Sequence, residues 1–267
     1  MNIVGLMRVK NEARWIKRSI KSILPLCCRI FVLDDHSTDE TASICKSIPR
    51  VELIASPFTG LEEVRDKNYL LEQVGHPHRS QWVIMIDGDE ELMPGDAAKL
   101  KLAIKAAEGV RVNALAFSVL YLWDLPDQVR VDGVYRSMSR VSAFRLGSER
   151  FEATIGAANF HCGNCPQAIR QRAHAGVSLL HYGYMHRADR LRKYEWYRAN
   201  DPGNQMEDEY RHIVIGDVFP RDSRFRHGGP LECRRLPRVL DDDGDEIEMD
   251  YSREDALLRD EEDADDL

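Results

Sequence analysis

Long apolar runs are missing from this chain of 267 residues. None approaches the roughly 18–20 residues that a membrane span needs. The start, Met1-Asn2-Ile3-Val4-Gly5, lacks the basic segment and small-residue cleavage site of a signal peptide. Cysteines are few, six at irregular spacing, which excludes a disulfide scaffold and makes reduced thiols the default expectation. No internal repeat is visible, and no glycine-rich basic loop follows the first apolar segment, where Arg8-Val9-Lys10-Asn11 stands instead. The last absence argues against a nucleotidyltransferase of related architecture. What remains, 43% hydrophobic and 31% charged residues, is the balance of a soluble globular protein, expected in the cytoplasm.

The net charge of −8 is unevenly distributed. Residues 241–267 hold 15 acidic and 2 basic side chains, a net of −13, whereas residues 1–240 hold 35 basic and 30 acidic, a net of +5. The tail has few apolar residues and no clear period, so it is expected to be disordered and solvated, with an autoinhibitory or partner-binding role as the alternative. The mildly basic body suits a phosphate-bearing ligand more than a nucleic acid.

Apolar runs at Ile3–Met7, Ile30–Leu33, Val51–Ile54 and Trp82–Ile86 read as buried strands. Between them lie helical segments: one to about Leu24 with Ile16, Ile20 and Ile23 on a single stripe, one capped by Ser37 or Thr38, and one over about 61–74. A fourth follows Pro94-Gly95, with Leu100, Ile104 and Ala107 on one side. The alternation predicts an open parallel α/β sheet with helices on both faces. Strands at 114–121, 129–135, 140–145 and 177–180 and a charged helix over 187–198 predict a mixed α/β second half. In such sheets ligands bind beyond the carboxyl ends of the strands. Three polar clusters fall there: Arg8 to Glu12, Asp34 to Asp39, and Asp87 to Glu91.

Asp87-Gly88-Asp89 places two carboxylates at i and i+2, on one side of an extended segment. Hard oxygens of this kind suit Mg²⁺ or Mn²⁺ shared with substrate phosphates, the bland alternative being a solvated acidic turn. Asp34-Asp35 offers acceptors for a base N–H or a ribose hydroxyl, or simply a helix cap. His161, Cys162 and Cys165, completed by His174 or Cys233, would be a zinc site with an incomplete ligand pattern.

Taken together, Val4-Gly5-Leu6-Met7-x-x-Lys10-Asn11-Glu12, Val32-Leu33-Asp34-Asp35-His36-Ser37-Thr38-Asp39-Glu40-Thr41 and Trp82-x-x-x-x-Asp87-Gly88-Asp89-Glu90 resemble a family 2 glycosyltransferase of GT-A fold. The resemblance is good over residues 1–110 and thinner to about 217. It implies one domain over 1–217, with a nucleotide-sugar half (1–110) and an acceptor half (111–217), followed by an extension (218–240) and the tail. It also implies a nucleotide-diphosphate-sugar donor with UDP favoured, Mn²⁺ or Mg²⁺, and inverting, hexosyltransferase-like transfer to a glycan, protein, lipid or nucleic acid. Asp35 would read the nucleobase, and Asp34 or Glu12 would hold the nucleoside. Asp89 would ligate the metal with Asp87 beside it, and His181 of His181-Tyr182-Gly183-Tyr184 would complete the coordination. Arg65 or Lys67 would contact the pyrophosphate or sugar, and cations such as Arg190 would clamp the leaving diphosphate. Relatives often carry a base in a His-Glu pair, where this chain reads His161-Cys162. His161, Glu152 and Asp189 are therefore the candidate bases. A nucleotide-sugar-binding module without catalysis and a zinc-dependent interaction module are the alternative functions.

Overall fold

The computed structural model describes residues 2–75, 81–152 and 162–236. Four parallel strands form its first part: β1 (Ile3–Val9), β2 (Arg29–Asp34), β3 (Val51–Ala55) and β4 (Trp82–Met85). Their order across the sheet is β4-β1-β2-β3. Helices α1 (Ile16–Ile23), α2 (Thr41–Ser47) and α3 (Glu63–Gly75) make the connections. A short strand β5 (Glu90–Leu92) and helix α4 (Asp96–Glu108) follow.

The continuous apolar runs have a plain cause, because both faces of the sheet are covered. Ile3, Met7, Val9, Ile30, Val32, Trp82 and Ile84 join Ile16, Ile20, Ile23, Leu100 and Ile104 in one core. Val4, Leu6, Phe31, Leu33, Val83 and Met85 alternate with them and pack on Leu70, Leu71 and Val74 of α3. Gly5 sits where β1 and β2 approach α1 most closely. A Cβ there would lie 2.9 Å from Ile30 Cγ1 and 3.1 Å from Ile23 Cδ1.

The second half extends the same sheet. β6 (Ala114–Trp123), β7 (Leu125–Arg130), β8 (Ser139–Arg145), β9 (Arg172–His181) and β10 (Cys233–Arg235) add to it, with helix α5 (Arg187–Asn200) and a 3-10 segment over Gln205–Val214. β8 runs antiparallel to β4 and places β6 beyond it. β9 runs parallel to β6 and antiparallel to β5. The open parallel sheet is thus confined to β1–β4, and the whole sheet is mixed.

Several local expectations shift. The strand expected over 129–135 is β7, which ends at Arg130 and gives way to a 3-10 turn at Gly133–Arg136. β9 is longer than the 177–180 segment, and β5 was not expected at all. The N-cap of α2 is Glu40, which makes no side-chain cap bond; the first N–H of the helix goes to the preceding Asp39, not to Ser37 or Thr38. Asp39 Oδ1 accepts the Thr41 N–H at 3.0 Å, and its Oδ2 accepts the Ala13 N–H at 3.0 Å. Ser37 and Thr38 instead bond to Asn11. The extension from 218 is sewn to the body by β10, which pairs with β7. The acidic tail, 241–267, lies outside the described residues. Among the described residues no helix is long and apolar enough to cross a membrane.

Replacing Gly5 by Ala is expected to cost about 1–3 kcal/mol through overpacking. Asp39→Ala is expected to cost about 0.5–2 kcal/mol through loss of its bond to the first N–H of α2. Urea denaturation of each variant against the parent checks both.

Candidate functional site

Parallel pairing puts the carboxyl ends of β1, β2 and β4 on one edge, and the polar clusters follow them there. Asp35, the residue after β2, is fully buried. Arg8, near the end of β1, donates to its Oδ2 at 2.5 Å, and Lys10 lies 3.4 Å from the same oxygen. Arg8 Nε also meets the buried Asp66 at 3.2 Å. Asp35 Oδ1 is buried and has no hydrogen-bond partner among the described residues. Such an atom is costly to bury unless a ligand donor completes it. Asp34 accepts the Ser37 N–H at 3.3 Å and so shapes the loop beside it.

The Asp87-Gly88-Asp89 turn is held from both sides. Ser19 Oγ of α1 donates to the Gly88 carbonyl at 2.6 Å. Glu12 presses on the glycine, since a Cβ at Gly88 would lie 2.9 Å from Glu12 Cγ and 3.0 Å from Val9 Cγ1. Burial and the nearby Asp89 charge raise the Glu12 carboxyl well above its ordinary value, against the pull of Lys193 and Arg192. Glu12 therefore stands against the Asp87-Gly88-Asp89 turn and shares its electrostatic environment.

β5 and β9 deliver the remaining groups. Glu90 is paired in register with His181, and the Tyr182 N–H donates to the Asp89 carbonyl at 2.9 Å. His181 Nε2 comes to 3.8 Å from Asp89 Oδ2, and Lys193 Nζ of α5 comes to 2.9 Å. All three groups converge over Gly183, where a Cβ would lie 2.1 Å from Asp89 Oδ2 and 2.2 Å from Lys193 Nζ. Burial alone would raise Asp89, but Lys193 and His181 hold it well below the usual carboxylate range. Burial pulls His181 down to about 4 against the attraction of Asp89, so its imidazole is neutral at pH 7.

Arg140 of β8 is the counter-charge on the far side. It meets Asp87 at 3.1 Å and forms a close pair with the buried Glu90. Burial pushes Glu90 up to about 7 despite that partner. Asp87 stays below its ordinary value, because Arg140 and Lys67 outweigh the effect of burial.

The residues fit a divalent ion of the Mg²⁺ or Mn²⁺ kind. Asp89 offers a hard anionic oxygen and His181 a neutral nitrogen, and such ions complete their shells with waters and substrate phosphates. Among the described residues no three His, Cys, Asp or Glu side chains gather as an all-protein cage. That also weighs against zinc. His174 is bound to Gly176 on β9, Cys165 is buried, Cys233 lies on β10, and His161 lies outside the described residues.

The other nominated residues divide sharply. Lys67 is buried, donates to Asn164 Oδ1 at 3.0 Å, and lines a cavity of about 410 Å³ together with Asp87 and His181. Arg65 does not line that cavity. It stacks on Phe58 at 4.5 Å and bonds to Asp66 and the Gly60 carbonyl. Arg190 is a framework residue, contrary to the diphosphate clamp expected of it. It is 1% exposed, pairs with Asp217 at 2.6 Å and Asp124 at 2.8 Å, donates to the Tyr184 and Met185 carbonyls, and stacks on Trp123. Of the candidate bases, Glu152 is exposed and does not line the cavity. Asp189 is paired with Arg14 and Arg192, away from the cavity wall. His161 lies outside the described residues.

Arg8 and Arg140 had no role assigned from the sequence. Arg8 carried a signal, a cation beside the carboxyl end of a buried strand. The part of Arg140 depends on β8 lying against β4, which no local pattern announces. Removing Arg190 leaves the buried Asp217 with only the more distant Arg187 and takes the partner from the partly exposed Asp124, so Arg190→Ala is expected to cost about 3 kcal/mol. Chemical denaturation measures it, and a ligand-clamp role would instead leave stability near the parent value.

The model of the family described as Glycosyl transferase family 2 matches residues 6–123. An uncharacterised protein of Mycobacterium tuberculosis is 25% identical over 281 residues, covering 90% of this chain and 65% of its own length. An uncharacterised glycosyltransferase of Rickettsia bellii is 34% identical over 139 residues, 52% of this chain and 45% of its own. The chain thus spans less than two thirds of the length of these relatives. Among solved structures, S. aureus TarS 1–349 aligns over 82% of this chain and 73% of its own, with 12% identity and a TM-score of 0.45. The match takes in the Lys10-Asn11-Glu12, Asp34-Asp35 and Asp87-Gly88-Asp89 segments, and over residues 6–123 the chain is similar to glycosyl transferase family 2.

Proposed function

We propose that this protein transfers a hexose-like sugar from a nucleoside-diphosphate sugar, UDP-linked by preference, to an acceptor hydroxyl with inversion, using Mn²⁺ or Mg²⁺. The observation that carries this reading is the shared rim. Asp35 with its open Oδ1, and Asp89 with His181, stand at the ends of parallel strands separated only by β1. A ligand with a base at one end and a diphosphate at the other suits that layout.

In this reading Asp35 accepts a base N–H, and Arg8 and Lys10 fix the direction of its carboxylate. Asp89 and His181 hold the ion, whose chemistry when bound is to neutralise the charge gathering on the departing diphosphate. Gly88 and Gly183 let backbone and carboxylate come close enough for that grouping. Lys193, already at Asp89, is a second cation within reach of the leaving group. Arg140 keeps Asp87 ionised and holds it at the wall of the cavity.

One observation favours a second reading, a module that binds the nucleotide sugar without turning it over. Neither Glu152 nor Asp189 reaches the cavity. Both readings require donor binding, and only the first requires donor consumption.

Thermal shift with UDP-sugars, with and without Mn²⁺, tests the site. Ligand at one hundred times its Kd is expected to add about 2.7 kcal/mol. The gain is expected to need the metal and to be largely lost in Asp89→Ala. Equal stabilisation of the variant would count against the assignment. Metal-dependent binding without release of nucleoside diphosphate would select the module.

A further inference from the structure

The cavity next to Asp87 has a wall built mainly by the second half of the chain. It encloses about 410 Å³, within the range of small-molecule sites. Five tyrosines line it: Tyr121 of β6, Tyr135 of the 3-10 turn, Tyr184 after β9, Tyr197 of α5 and Tyr210 of the 205–214 segment. They form two groups of ring contacts, joined by a side-chain hydrogen bond between Tyr184 and Tyr197. Tyr121 meets Tyr135 edge-on at 5.0 Å, His181 at 4.7 Å and Tyr184 in a stack at 5.8 Å. Tyr197 lies flat on Tyr210 at 4.1 Å. Tyr121, Tyr184 and Tyr197 are only half-buried, so part of each ring surface faces the cavity. Burial raises the phenols of Tyr121, Tyr184, Tyr197 and Tyr210 above their ordinary values, which keeps them neutral hydrogen-bonding groups.

The polar part of the wall is equally specific. Asp87, Arg140, Lys67 and Asn164 contribute carboxylate, guanidinium, ammonium and amide groups. Flat apolar surfaces combined with several hydrogen-bonding groups match a sugar ring, which has C–H faces and a rim of hydroxyls. An alkyl chain would cover these polar groups with a surface that offers them no hydrogen bonds. A nucleic acid would need cations to follow its phosphates, whereas Arg140 is engaged by Asp87 and Glu90, and Lys67 by Glu63. A serine or threonine side chain would offer the rings little to stack against.

Position separates this cavity from the donor's nucleoside end. Asp35 lies on the β2 side of β1, and the cavity lies on the β8 and β6 side of β4. The Asp87-Gly88-Asp89 turn stands between them.

We propose that the tyrosine-lined cavity receives the acceptor and that the acceptor is a saccharide, stacked on Tyr121, Tyr184 and Tyr197 with its hydroxyls bound by the polar wall. This rests on the glycosyltransferase reading. In the transfer, the acceptor oxygen bonds to the anomeric carbon as the bond to the diphosphate oxygen breaks. The hydroxyl proton leaves to a carboxylate of the cavity wall, Asp87 or Glu63, and the electron pair departs with the nucleoside diphosphate.

The test uses the full chain with Mn²⁺ and the UDP-sugar that stabilises it most. Nucleoside diphosphate release is measured with methyl glycosides of glucose, galactose, mannose, rhamnose and N-acetylglucosamine, and in parallel with a Ser/Thr peptide and with dodecanol. At least one glycoside is expected to accelerate release about tenfold over water. Tyr197→Ala is expected to raise the KM for that glycoside about fivefold, more than the KM for donor, with Tyr197→Phe close to the parent. Acceleration by the peptide or the alcohol alone, or by no glycoside, overturns the proposal. Saturation-transfer NMR with the same glycosides needs no donor and keeps the two readings apart. A glycoside signal lost in folded Tyr197→Ala supports the cavity assignment even if no UDP-sugar binds, a result that would overturn only the donor reading. No signal from any glycoside overturns the cavity assignment while leaving donor binding to stand.

Discussion

Asp35, Asp89 and Glu90 are carboxylates withdrawn from water at the edge of a parallel sheet, with Asp87 partly exposed beside them. Isolated charges in such surroundings cost several kcal/mol each, so every one must be met by a cation or a hydrogen bond. Arg8 and Lys10 answer Asp35, Arg140 answers Asp87 and Glu90, and Lys193 answers Asp89. Those cations come from β1, β8 and α5, and much of the architecture can be understood as the means of bringing them to one rim. β8 must lie against β4, and α5 must cross the end of β5. A network balanced in this way presents fixed, oriented charge to a ligand with little rearrangement.

The second half supplies rigidity where the first supplies charge. Trp123 is fully buried between Arg130 and Arg190, whose guanidinium groups lie 4.5 and 4.4 Å from its ring. Arg130 is bidentate to Asp132, which also accepts backbone N–H groups from Gly229 and Glu232. Arg190 ties β9 and α5 to Asp217 and Asp124. The segment after 218 therefore braces the same wall that carries Tyr135 and His212. That is why Arg190, set among cations beside His181, belongs to the frame and not to the ligand. A guanidinium with its donors engaged by protein acceptors has little left to offer a diphosphate.

Much of the first half was legible from residue order alone. A strand covered on both faces must be apolar throughout, and a helix on one face must be apolar at every third or fourth position, so Ile3–Met7 and Ile16, Ile20 and Ile23 declare themselves. Because parallel strands share a direction, the polar clusters that follow them must share an edge, and the pairing of Asp35 with Asp87-Gly88-Asp89 was implicit in the pattern. Where the local signal depended on a single side chain, it misled: Asp39 receives the first N–H of α2 because its two oxygens reach both Thr41 and Ala13, a geometry that Ser37 and Thr38 do not share.

Residue order thus determined the α/β class, the four parallel strands and the placing of Asp34-Asp35 and Asp87-Gly88-Asp89 at strand ends on one edge. These depend on periodicity and on short-range spacing. Tertiary structure alone decided which distant groups complete the rim. His181 reaches Asp89 because β9 pairs with β5, and Lys193 reaches it one helix later. Arg140 becomes the partner of Asp87 through antiparallel pairing across some fifty residues of chain, and five scattered tyrosines become one wall. Contacts of that separation follow from sheet order and helix docking, and those are settled by how the whole chain packs and not by any local run of residues.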